Sequence, residues 1–123
     1  MEAAHALADL LVASPQVEAA TVFGSDDEPL GSVGVSASSA AAAVRAGRTL
    51  LEGAGGLRGV GEATQVHASL AGGDVFVVGK RGGPAIVAVT GARQPAGLLF
   101  YDLKSCLASV LGPQNESGSG ATE

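Results

Sequence analysis

Tryptophan is absent, and three phenylalanines and one tyrosine are the only aromatic residues, 3% of the 123-residue chain. A pocket lined by rings, such as a flat cofactor requires, is excluded on that count. Cys106 is the single cysteine, so no intramolecular disulfide framework exists, and a reducing compartment is expected. Only 7 residues are basic against 12 acidic, giving a net charge of −5. No run of basic residues occurs. Counterion release from a nucleic acid needs several lysines or arginines presented together, and an anionic bilayer makes the same demand. Neither nucleic acid nor membrane is therefore an expected partner. No apolar run reaches the ~20 residues of a bilayer span. The first residues, Met1-Glu2-Ala3-Ala4-His5, place an acid where a signal peptide carries basic residues. A cytoplasmic location is expected.

What the chain does have is 46% apolar residues, mostly Val, Leu, Ile and Ala, and 19 glycines. This suffices for one domain with an aliphatic core. Apolar spacing predicts a helix over 2–13, ended by Ser14-Pro15. A strand over Val17 to Phe23 and a weaker one over Leu30 to Val35 flank turn-forming Gly24-Ser25-Asp26-Asp27-Glu28-Pro29, which suggests a hairpin. A second helix is expected from Ser36 to Glu52, capped by Ser36, Ser38 or Ser39 and stopped by the glycines from Gly53. Strands over Glu62 to Leu70, Val75 to Val78 and Ala85 to Val89 are joined by turns too short for crossovers, so they are antiparallel neighbours. The last two lack alternation and are expected to be covered on both faces. A final helix runs from Gln94 to Leu111, with Gly112-Pro113 as its stop. The expected fold is α/β of the α+β kind, in the order α-β-β-α-β-β-β-α. One five-stranded antiparallel sheet carries helices on both faces. Residues 1–111 form the domain and 112–123 a disordered Ser/Gly-rich tail.

Chemical equipment is sparse. His5 sits on the polar side of the first helix, His67 has no acid or thiol at ligand spacing, and Cys106 lies on the apolar stripe of the last helix. Gly53-Ala54-Gly55-Gly56-Leu57-Arg58-Gly59 follows a helix and lacks the Lys-Ser or Lys-Thr of a phosphate loop. Asp26, Asp27 and Glu28 lack calcium-loop spacing. No catalytic residue, metal or cofactor is expected.

The second helix is apolar over too wide an arc. Val44, Leu51, Ala40, Gly47, Ala43, Leu50, Ala46 and Ala42 sweep roughly 200° of the wheel, where ~100° suffices to lie on one sheet. Ala40, Val44 and Leu51 are assigned to the chain's own sheet. Ala42, Ala43, Ala46, Gly47 and Leu50 are assigned to a second chain. Gln65, His67 and Ser69, the polar face of an unprotected edge strand, are added to that interface.

The order of motifs resembles the roadblock domain family, related to longin and profilin-like folds, over residues ~4–111. Leu10-Leu11 closes the first helix before Pro15-Gln16-Val17-Glu18-Ala19-Ala20, and Pro29-Leu30-Gly31-Ser32 resembles the family's second strand. The small-residue helix follows, then Gln65-Val66-His67 and Gly73-Asp74-Val75-Phe76-Val77. Ala96-Gly97-Leu98-Leu99-Phe100-Tyr101-Asp102-Leu103 is similar to the start of the family's closing helix. Ser25-Asp26-Asp27-Glu28 departs from the family's usual Asp-Gly turn. The resemblance implies a homodimer, or a heterodimer with a related roadblock protein, joined through the second helix and third strand. It also implies a non-enzymatic adaptor in bacterial signalling, a partner or activator of a small Ras-like GTPase, with Arg45 and Arg48 as the exposed GTPase-facing residues. A scaffold subunit without effect on GTP turnover and a small-molecule sensor domain are the alternatives.

Overall fold

A computed structural model describes residues 2–57, 64–80, 83–91 and 96–116, with the side chains of 37, 96 and 111–116 outside that description. The elements are α1 (Ala3–Ala13), β1 (Val17–Phe23), β2 (Pro29–Val33), α2 (Ala37–Gly56), β3 (Gln65–Leu70), β4 (Gly73–Gly79), β5 (Ala85–Thr90) and α3 (Ala96–Glu116). The five strands form one antiparallel sheet in the order β2-β1-β5-β4-β3. Both the element order and the sheet match the expectation from sequence.

Each edge of the sheet follows from a hairpin. The β1–β2 turn lacks glycine at its tightest point, and Asp27 takes the left-handed conformation instead, with φ 65°. Aspartate tolerates that region because its short side chain bonds locally. Here the Asp27 N–H donates to the Gly24 carbonyl at 2.9 Å, and the Glu28 N–H donates to Asp26 Oδ1 at 3.1 Å. β2 ends one residue before Gly34, whose φ is 77°. A Cβ there would lie 2.3 Å from the Glu18 carbonyl oxygen, so only glycine lets the chain leave the sheet at this point.

Several boundaries differ from expectation: β2 runs over Pro29–Val33 rather than Leu30 to Val35, and β4 over Gly73–Gly79 rather than Val75 to Val78. α2 runs through Gly53 to Gly56, because glycine weakens a helix by only ~1 kcal/mol, and buried Gly55 still packs in its last turn. α3 continues to Glu116, past the Gly112-Pro113 expected to stop it. Residues 112–116, expected in a disordered tail, are thus helical, and 117–123 lie outside the described residues. β3 begins at Gln65; Glu62, its expected start, also lies outside them, as do Gln94 and Pro95.

The sheet separates two cores. On one face α1 and α3 bury Leu7, Leu10, Leu99, Leu103 and Leu107 against Val22, Phe76, Val78, Ile86 and Ala88. On the other, α2 buries Val44 and Leu51 against Phe23, Val77, Ala85 and Val87. The helix α2 is capped by Ser36, whose hydroxyl accepts from the Ser39 N–H at 3.3 Å. Ser14, at the end of α1, donates to Asp102 of α3 and ties the two helices together.

Candidate interaction surface

α2 alone must cover its face of the sheet, and it covers the β3 edge only in part, with Val66 packed against its core. An open groove of about 680 Å³ remains between α2 and β3. Its helix wall is Ala42, Arg45, Ala46, Thr49 and Leu50; its strand wall is Ala68, Leu70 and Val75. The groove is apolar along its length and lies at an edge strand. Leu70 is 60% exposed there. Large exposed aliphatic side chains beside unpaired strand backbone are the features of a contact surface.

The sequence-derived interface residues divide between three places. Ala42, Ala46 and Leu50 line the groove, and Ala43 is half-buried against the α2 core. Gly47 does not belong with them, which corrects its assignment. It is buried, and a Cβ on it would meet Phe23 Cζ and Val87 Cβ, each at 3.3 Å. Its smallness lets α2 approach its own sheet. The wheel could not distinguish the two uses, because Gly47 sits between the buried and the outward arcs.

Gln65, His67 and Ser69 share no face with the α2 groove. Register pairs His67 with Phe76, which points into the α1/α3 core, and Ala68 with Val75 on the α2 side. With a period of two, the even-numbered residues of β3 complete the groove and the odd ones face away. His67 stacks on the Phe76 ring, with centroids 4.2 Å apart and planes 9° from parallel. Its Nε2 lies 3.0 Å from Asp74 Oδ2, and the Ser69 hydroxyl donates to Asp74 Oδ1 at 3.3 Å. The Asp74 side chain is only 4% exposed. Histidine and serine both address the carboxylate rather than each other, so the arrangement pins the β3–β4 hairpin and does not prepare a nucleophile. Along the sequence, no acid lies at ligand spacing from His67. The two-residue turn Ala71-Gly72 was the available signal, since it brings position 74 diagonally opposite position 67.

The two arginines differ. Arg45 is exposed and lines the groove. Arg48 was expected to be exposed, and its side chain is only 12% so. Its Nε donates to Asp27 Oδ1 at 2.8 Å, a second guanidinium nitrogen donates to the Gly24 carbonyl at 3.3 Å, and the group lies 5.2 Å over the Phe23 ring. It clamps α2 to the β1–β2 turn. The acids of that turn attract it, a pairing that spans 21 residues of sequence and follows no local rule.

Among the described residues no three of His, Cys, Asp and Glu converge as metal ligands, and no helix is long and apolar enough to cross a membrane. Cys106 is buried between α1 and α3, where its thiol lies 3.5 Å from the Ala6 carbonyl. Burial, then the nearby Asp9 carboxylate, pushes its pKa up to about 11. The thiol is inert at neutral pH.

No protein-family model and no curated protein matches this chain. Solved structures do. A Roadblock/LC7 domain from Streptomyces avermitilis is 21% identical with a TM-score of 0.74, over 87% of this chain and 92% of that one. MglB from Myxococcus xanthus is 15% identical with a TM-score of 0.72, over 99% and 93%. An MglB with tetrameric arrangement is 14% identical with a TM-score of 0.67, over 88% and 84%. Element order, sheet order and these superpositions agree: the chain has the Roadblock/LC7 fold.

Proposed function

We propose that this chain is a non-enzymatic regulatory module that first pairs with a copy or close relative of itself and then engages a small Ras-like GTPase in bacterial signalling, in the cytoplasm. The observation that carries the pairing is the apolar groove between α2 and the edge strand β3. A second copy related by a two-fold axis would lay its own α2 and β3 along the same strip, and paired edge strands would continue the sheet. The small side chains of Ala42 and Ala46 allow close approach, and Leu50 and Leu70 supply apolar area. Self-association is supported by the MglB solved in a tetrameric arrangement, which shares the fold. The GTPase partner rests on the roadblock resemblance; Arg48 is occupied by its clamp, and Arg45 lines the groove proposed for pairing.

Sedimentation equilibrium tests the pairing. A dimer is expected for the native chain and a monomer for Ala46→Glu. Single-turnover GTP hydrolysis by a Ras-like GTPase from the same genome, with and without the protein, tests the regulation. Faster turnover supports an activator. Binding without a rate change favours a scaffold, and no binding overturns the GTPase reading.

A further inference from the structure

A second groove lies on the opposite face of the sheet, between α3 and the β3–β4 edge. It measures about 360 Å³, within the size range of small-ligand sites. Val78 and Leu107, both members of the α1/α3 core, form an apolar floor, and Thr64 and Gln65 stand at the strand wall. Lys80 and Lys104 join the lining with Gly79 and Ala108, and no lining residue is acidic. These are two of only 7 basic residues in a chain with 12 acids. Both are exposed, and neither has a carboxylate partner among the described residues. The other flank of α3 shows the contrast: the cleft between α1 and α3 is about 140 Å³ and is lined by Asp9 and Asp102.

We infer that the groove between α3 and the β3–β4 edge binds a small amphipathic anion, a carboxylate or phosphate carrying an apolar tail. Lysine ammonium groups hold carboxylate and phosphate as point charges. The Thr64 hydroxyl and Gln65 amide add directional hydrogen bonds to the head group. The floor of Val78 and Leu107 takes the tail. No ring lines the groove, so a stacked nucleobase is not the ligand. The overall charge of −5 opposes an anionic bilayer and favours the free solute. The α2–β3 groove is on the other face of the sheet.

Octanoate is the probe, titrated into the ¹⁵N-labelled full chain and followed by amide chemical shifts. Saturable shifts are expected at Thr64, Gln65, Lys104 and Leu107. Lys80→Gln with Lys104→Gln should weaken binding about tenfold while shifts elsewhere stay in place, because both lysines are exposed. Neutral octanamide should bind more weakly than octanoate by a similar factor. Absence of saturable shifts overturns the inference. So do shifts confined to Ala46, Leu50 and Leu70, equal binding by the double variant, or equal binding of octanamide. Sedimentation with phosphatidylglycerol vesicles that octanoate does not reverse would assign the lysines to a membrane surface and also overturn it.

Discussion

Two helices, α1 and α3, cover one face of the sheet, while α2 alone covers the other. On the two-helix face the side chains are large and the seal extends to α1, where Leu7 and Leu10 are buried. On the one-helix face the core is smaller, and the strip beside β3 stays open. The difference teaches where the spare apolar surface of an alanine-rich helix goes. One helix spans ~10 Å, five strands ~4.8 Å apart span about twice that, and part of the β3 edge stays uncovered. Ala46 and Gly47 are adjacent in sequence and on opposite sides of this division.

Gly47→Glu should break the covered side of α2. Its side chain would enter the space held by Phe23 and Val87 and bury a charge there. Overpacking and the unpaired charge together cost about 4 kcal/mol or more, enough to unfold a marginal domain in urea titration. Retention of native stability would show that Gly47 does not face the sheet. Ala46→Glu tests the open side. Monomer stability should change by less than about 0.5 kcal/mol, because the site is exposed. Dimer dissociation should strengthen about a hundredfold or more, from a charge buried without a partner at the interface. An unchanged sedimentation profile would move the contact away from this groove.

Arg48→Ala tests the clamp that holds α2 in place. Loss of the Asp27 pair, the Gly24 bond and the Phe23 contact should cost about 1–2 kcal/mol of stability by thermal or urea unfolding. The coupling between Arg48 and Asp27 alone, measured in a double-mutant cycle, should stay near or below about 1 kcal/mol, since Asp27 is 47% exposed. A further test lies on the two-helix face. The folded protein holds the Cys106 thiol protonated, with its pKa raised from 9.0 to about 11. The unfolded chain releases that proton first, so stability should fall as pH rises from about 9 towards 11. Native-state alkylation at pH 8 should be much slower than in urea, and Cys106→Ala should remove that slope.

Much of the fold was legible because its signals are local. The two apolar runs without alternation became β4 and β5, buried on both faces, and the short turns dictated antiparallel neighbours. Of the excess apolar arc of α2, Ala42, Ala46 and Leu50 line an open groove. Errors arose where two readings share one pattern. Glycine on a small-residue helix serves equally for approach to the chain's own sheet or to another chain. Glycine and proline lower helix stability without setting the last residue, so α2 and α3 both ran past their expected ends.

The sequence by itself determined the element order, the antiparallel sheet, the aliphatic composition of the core and the surplus of small apolar surface on α2. Periodicity and turn chemistry act between residues a few positions apart, and they need no tertiary partner. Only the tertiary structure decided that β3 contributes Ala68 and Leu70 rather than His67 to the α2 side. It alone withdrew Arg48 from the surface, set His67 on Asp74, and brought Lys80 and Lys104 to one groove. Those outcomes depend on sheet register and on contacts between distant segments, where packing and charge choose among arrangements that the local pattern leaves equal.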